Sequence, residues 1–361
     1  MAAPTTHGDP PQAEAGGPPD PWADQRVEMP AHEFDAVAYH VGRMALGGMH
    51  PPPPSLGAFL TADLTCAEFA ARLGDVLADL AEGLARTTDV RLRAWEATRV
   101  VAGSPPRSRR WRGPATRRWL EEGLAADGAE GIIVTFEATA PADVDQFLVL
   151  NVFRFGSIPG VLTDISLVAG PQLWPGPAVD DAAEQVLRLA ESWVDPLRIL
   201  TGGITYDRVE GIDSPFEQWY GLNHATRAGI ARDRLRGYHW ANLLGPGHLA
   251  RLGGRDALLA AAAVHGFDAR LLSRGPGEGP GPAEVLVRAR GPITAFDDAR
   301  LAAMKGFLAP ALPTVRYSGY YGWPLRIVKD PGTAFRTVPP DGPGPRLLPQ
   351  TPAEGSSSPH E

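Results

Sequence analysis

An α+β fold with a largely antiparallel sheet flanked by helices is what three features of the chain predict. Several runs show the apolar continuity or two-residue alternation of strands, and stretches with helical apolar spacing interrupt them irregularly. No strand leads through a glycine-rich loop into a helix, the repeating unit expected of a doubly wound parallel sheet. With 43% of its 361 residues hydrophobic and 21% charged, the chain can bury a substantial core. That core is expected over residues 27–330, as one domain or as two packed halves breaking near 209–235.

Residues 1–26 and 331–361 are rich in Pro, Gly and small polar side chains, too poor in apolar surface to offset ordering entropy, and are expected to be disordered tails. Residues 27–49 carry Phe34 and Tyr39 and run into the proline tract 51–54, which suits a strand pair, or a strand and turn, at a sheet edge. A helix is predicted over 65–86. Thr65 and Glu68 form a capping box, Leu64 and Phe69 form a hydrophobic staple, and Phe69, Leu73, Val76, Leu77, Leu80 and Leu84 share one face. Strands follow at 90–95, 131–137, 146–155 and 161–168, the third nearly all apolar and therefore placed at the sheet centre. Between the first two lies the basic insertion 105–119, bracketed by prolines and read as a surface excursion.

A second helix is predicted over 181–194, with Asp181 and Glu184 as cap partners and Pro196 beyond its end. A strand over 197–207 and a polar linker over 214–234 lead to RGYHWANLLGPGHLARLGG at 236–254, the most specified window in the chain. Its strand would run over 238–244, with His239, Ala241 and Leu243 on one face and Tyr238, Trp240, Asn242 and Leu244 on the other. Gly245-Pro246-Gly247 would then make a turn. Beyond it come a helix over 255–265 stopped by Gly266, a strand over 267–272 pairing with 284–290, a helix capped by Asp297 with Leu301, Met304 and Leu308 inward, and a Tyr-Gly-rich strand region over 317–328.

Composition narrows function. A net charge of -8 opposes general attraction to nucleic acid or anionic lipid. Cys66 is the only cysteine, so no intrachain disulfide can form; the first residues show neither the basic nor the apolar region of a leader peptide, and no apolar run approaches the length of a membrane span. A cytoplasmic setting is expected. The chain lacks the phosphate-cradling, dinucleotide-binding, serine-elbow and paired-histidine metalloprotease motifs. No cofactor and no metal are expected. Cys66 sits in a helix first turn, where the dipole favours thiolate, but a buried, alanine-like role is the preferred reading. The acidic pairs Asp180-Asp181 and Asp297-Asp298 suit helix starts, and Asp143 and Asp145 suit a turn.

Three groups of residues can carry a function. His239 and His248, with Asn242 and with Glu217 or His224, are the best candidates for a scattered enzyme or metal site, although histidines in such settings are more often structural. Trp219 and Tyr220, Tyr238 to Trp240, and Tyr320 and Tyr321 have the aromatic character of interface residues. The insertion interleaves Arg107, Arg109, Arg110, Arg112, Arg117 and Arg118 with Trp111 and Trp119, a composition that fits an acidic partner or, against the chain's overall charge, single-stranded nucleic acid.

The capping-box helix, the buried strand, the Asp195-Pro196 stop, GYHWANLLGPGHLARLGG and the following EVLVRARGPITAFDDARLAAMKGFLAPALP stand in an order that resembles bacterial immunity proteins of polymorphic and type VI toxin systems, including the immunity protein 52 group. The likeness runs over about residues 28–328 in element order, and in residues only at the central motif. It implies an α+β binder that occludes a toxin encoded beside it, with no catalytic residue to carry over. The Pro-rich tails and the arginine insertion depart from that pattern. A non-enzymatic role, with a toxin or other protein as partner, is the leading expectation; an enzyme around His239 and His248 and a nucleic-acid adaptor are the alternatives.

Overall fold

The helix with the strongest local signal begins where its cap places it. Thr65 Oγ1 accepts from the Glu68 N–H at 3.1 Å and Glu68 accepts from the Thr65 N–H at 2.6 Å, the reciprocal bonds of a capping box. The second bond, more than the nearby Arg198, holds the Glu68 carboxyl below its usual range. Phe69, Leu73, Val76, Leu80 and Leu84 are buried along one side of this helix. Cys66 is its first residue, and burial pushes the thiol up to about 12 against the opposing pull of Arg154.

The computed structural model describes residues 26–27, 55–85, 91–124, 129–139, 147–154, 162–170, 173–174, 177–207, 230–272, 284–313 and 316–317. In chain order the strands are β1 (Arg26–Val27), β2 (Ser55–Ala62), β3 (Arg91–Val101), β4 (Arg107–Arg110), β5 (Ala129–Thr139), β6 (Phe147–Phe153), β7 (Thr163–Ala169), β8 (Ile199–Asp207), β9 (Ala241–Leu244), β10 (Phe267–Leu271), β11 (Val285–Ala289) and β12 (Arg316–Tyr317). The helices are α1 (Cys66–Ala85), α2 (Pro114–Leu124), α3 (Ala178–Ser192), α4 (Pro246–Arg251), α5 (Arg255–Val264) and α6 (Asp298–Leu308). Ten strands form one antiparallel sheet in the order β10-β11-β9-β8-β2-β7-β6-β5-β3-β4, and β1 pairs with β12 in a separate ladder. The α+β expectation, a sheet with flanking helices, holds.

Register sorts the sheet into two faces. The row Val134, Leu150, Leu167, Ala58, Ile204 and Ala241 runs across six strands, and every member is buried in the main core against the helical layer. One residue along, the row Asn151, Ser166, Phe59, Gly203 and Asn242 points the other way. The strand interiors therefore look apolar throughout, because both faces of β2 and β7 are buried, yet one of those faces is polar. The predicted central strand is β6, two places from β2; interior position, not centrality, is what its apolar run reports.

Four local expectations are corrected. The insertion 105–119 is not an excursion: it folds as edge strand β4 and the start of α2, because Pro114 fits the first turn of a helix and β3 extends to Val101 to receive β4. Helix α3 begins at Ala178 after Pro177 without a side-chain cap, while Asp180 instead accepts from the N–H and hydroxyl of Thr294. Gly245-Pro246-Gly247 is a helix start, with Gly245 as N-cap and Pro246 at the first position of α4. Strand β9 begins only at Ala241, since Asn242 Oδ1 accepts from the His239 N–H and Asn242 Nδ2 donates to the His239 carbonyl, closing a turn that breaks the predicted alternation. Gly266 with φ 75° ends α5, β10 pairs with β11, and Asp297 caps α6 as expected. The predicted strands over 27–49 and 317–328, and the linker up to residue 229, lie almost wholly outside the described residues.

Candidate functional site

At one end of the sheet, β3, β4 and α2 build a surface from arginine and tryptophan. Antiparallel pairing sets Glu96 opposite Arg110 and Thr98 opposite Ser108, whose hydroxyls are 2.7 Å apart. The register of β3 shifts between Ala94 and Glu96, and this bulge re-aims Trp95, which is 40% exposed. The Arg110 guanidinium lies over the Trp95 ring, 4.4 Å from its centroid. Trp119, from α2, is buried between Arg99 and Arg109, each guanidinium 4.8 Å from the ring centre. Arg99 also donates to the Trp119 carbonyl at 3.2 Å, and Gly123 leaves space for its guanidinium, since a Cβ there would occupy the same volume.

Thr116 locks strand to helix. It is buried, its Oγ1 accepts from the Arg112 N–H at 2.8 Å, and it donates to the Arg110 carbonyl at 3.3 Å. Around it Arg109, Arg110, Arg112, Ala115 and Thr116 line an open cleft of about 350 Å³. Arg107, Arg109, Arg110, Arg112 and Arg118 are all exposed, and among the described residues none is in an ion pair, whereas Arg117 pairs with Glu121 at 3.2 Å. Trp111 is half-buried and gives its N–H to the Trp95 carbonyl at 2.8 Å. The arrangement presents fixed positive charge at defined spacing, which can bind anions.

The second constellation lies on the polar face of β2, β7 and β8. Arg236 and Asp164 form an ion pair there, 3% and 2% exposed. Arg236 also donates to the Leu60 carbonyl at 3.2 Å and stacks over Phe59 at 5.2 Å. The His239 ring lies beside Phe59, centroids 6.3 Å apart, over Gly203, where a Cβ would collide with the imidazole. Thr61, Thr201, Asn151 and Ser166 extend the buried polar surface, and among the described residues Thr61 Oγ1 and Asn151 Nδ2 have no hydrogen-bond partner. The pair fastens the 230–240 segment to the sheet.

His248 belongs to a different neighbourhood. It is fully buried at the start of α4, its Nδ1 accepts from the Gly245 N–H at 3.1 Å, and burial pulls its pKa down to about 4 despite opposing contributions from the Arg234 backbone and Asp233. It is therefore neutral at pH 7. His239 meets Asn242 and Phe59, while His248 meets Gly245, Asp233 and Arg234, so the two histidines share none of these neighbours. Among the described residues no group of three His, Cys, Asp or Glu side chains is placed to hold a metal ion. Glu217, Trp219, Tyr220, His224, Tyr320 and Tyr321, and the turn residues Asp143 and Asp145, lie outside the described residues. Tyr238 and Trp240 are buried in the core.

Trp95 and Arg99 lie outside the basic segment 105–119 and join it only through pairing, although the Arg-Leu-Arg-Ala-Trp alternation of β3 already placed large polar and aromatic groups on a strand. The buried Arg236–Asp164 pair had a signal as well: Asp164 and Ser166 interrupt an otherwise apolar strand, as Asn151 does in β6.

Among the described residues no helix is long and apolar enough to cross a membrane. No family model matches the chain, and no curated protein matches it. Among solved structures it is similar to the Pseudomonas aeruginosa T6SS protein PA0821, with 16% identity, a TM-score of 0.47, and coverage of 75% of this chain and 83% of that one.

Proposed function

We propose that this chain is a non-enzymatic protein-binding protein whose β3–β4–α2 edge holds its partner, and that the partner is a toxin neutralised by occlusion. The observation carrying the reading is the set of exposed arginines on β4 and α2 that have no carboxylate partner, two of them fixed in place by stacking on Trp95 and Trp119. Arginine and tryptophan dominate the energetics of protein interfaces, and side chains already immobilised lose less entropy when a partner arrives. The element order that resembles immunity proteins supports a toxin as the partner class. Residues 27–330 are proposed to act as one unit in this, since β2 joins the strands on either side of it in one sheet.

The test is co-expression with the product of the adjacent gene. A stoichiometric complex by size-exclusion chromatography with light scattering, together with relief of that product's toxicity, is the expected result. Replacing Arg110 and Arg112 together by Glu is expected to abolish both. A complex that forms equally well with this double variant would move the interface off the edge, and a neighbouring product that neither binds nor harms cells would remove the toxin reading.

A further inference from the structure

We infer that the cleft at Arg109, Arg110, Arg112 and Thr116 takes carboxylate side chains of an acidic segment on the partner protein; this rests on the binding role proposed above and names its chemistry. Two properties of the edge exclude other ways of filling it. Edge strands commonly accept an added strand through free main-chain groups. Here the Arg110 carbonyl already accepts from Thr116 and the Arg112 N–H already donates to it, so the end of β4 facing the cleft has little main chain to offer. Side-chain recognition is what remains. A second copy of the chain docked through the same edge would set Arg107, Arg109 and Arg110 against their own counterparts, which is repulsive.

The aromatic groups decide between an acidic protein and a single-stranded nucleic acid. Bases bind such surfaces by stacking on open ring faces. Trp119 is buried with Arg99 and Arg109 over its ring, and Trp95, though 40% exposed, has Arg110 over it, so the rings serve chiefly as seats for the guanidinium groups and offer no series of open faces for successive bases. A chain of net charge -8 also repels an extended polyanion, whereas the 105–119 segment, with six arginines and no acidic residue, attracts a short cluster of carboxylates locally. Guanidinium groups held over the indoles are positioned in advance and can meet carboxylates two bonds at a time.

The experiment uses the full chain and fluorescence anisotropy at 150 mM salt. The probes are a fluorescein-labelled ten-residue Glu/Ser peptide, its Gln/Ser counterpart and a ten-nucleotide oligo(dT), with inorganic phosphate as competitor. Binding of the Glu/Ser peptide at least about tenfold tighter than of the other two probes is expected. The double variant R110E/R112E should lose at least about tenfold for that peptide, while R255E, which reverses an exposed charge in α5, should keep wild-type affinity. Thermal melts of the variants confirm folding. Oligo(dT) binding as tight as the peptide, displacement by millimolar phosphate, no peptide binding, or equal losses in both variants would each overturn the assignment. If the peptide fails but the complex with the neighbouring gene product still depends on Arg110 and Arg112, the carboxylate chemistry is wrong and the binding edge stands.

Discussion

Arg236 and Arg112 are the same side chain in opposite surroundings, and the contrast separates what holds this protein together from what it offers to others. Arg236 is 3% exposed, pairs with Asp164, stacks on Phe59 and donates to the Leu60 carbonyl, so its charge is neutralised inside the molecule. Arg112 is exposed on the edge and among the described residues is in no ion pair, and the neighbouring Arg109 and Arg110 lie over indole rings that leave their charge intact. Burying a charge demands a partner, while an exposed one can be left open at little cost. A guanidinium that the fold positions without neutralising is available to another molecule.

The largest expected effect tests the buried member. Asp164→Ala should cost about 3–5 kcal/mol in urea unfolding, because it strands a buried guanidinium, and pairing it with Arg236→Met should recover much of that loss. A loss under about 1 kcal/mol would mean that the polar face is open to water and that the contrast with the edge is false.

The interior should also answer to acid. His248 has a folded pKa of about 4, below the unfolded value of 6.5, so the unfolded chain binds the extra proton between these values and stability falls as pH drops from 6.5 towards 4. The contribution is about 3 kcal/mol across that window, from 1.36 kcal/mol per unit. The pH dependence of His248→Asn should be flatter by that amount, and equal slopes for the two proteins would show His248 in contact with solvent.

The edge should respond less. Thr116→Val removes the side-chain bonds from α2 to the Arg110 carbonyl and the Arg112 N–H and should cost about 1–2 kcal/mol in thermal unfolding. Arg110→Ala, which removes the stack on Trp95, should cost about 0.5–1 kcal/mol. Arg112→Glu should change stability by less than about 0.5 kcal/mol while it weakens partner binding, and a larger loss would mean that Arg112 supports the fold.

Legibility in the sequence followed the range of the interaction. The Thr65–Glu68 box, the Asp297 cap and the Gly266 stop act within a few residues and read directly from the chain. The β4–α2 edge did not, because its ordering depends on β3 and on Trp119 meeting Arg99 across twenty positions. Taken alone, its prolines, Gly113 and arginines have the composition of a loop. The polar face was hidden by a different cause: Phe59, Gly203 and Val168 share it with the polar groups, so strict alternation never showed, and Arg236 meets Asp164 from 72 residues away. Asn242 likewise spends its amide on the His239 backbone, a local competitor that a periodicity argument cannot see.

The place of β2 also has a consequence in time. It is the first strand of the large sheet along the chain, yet its neighbours in space are β7 and β8, which begin at Thr163 and Ile199. At about 5–20 residues per second of synthesis, Leu56 to Leu60 would wait roughly 5–20 s after leaving the ribosome before their first partner strand exists. Contacts this distant along the chain make closure slow. The helix that lies against β2 is α3, from Ala178, while α1 packs on β3 and β5, so β2 gains its covering helix as late as its partner strands and its apolar face waits that long for shelter.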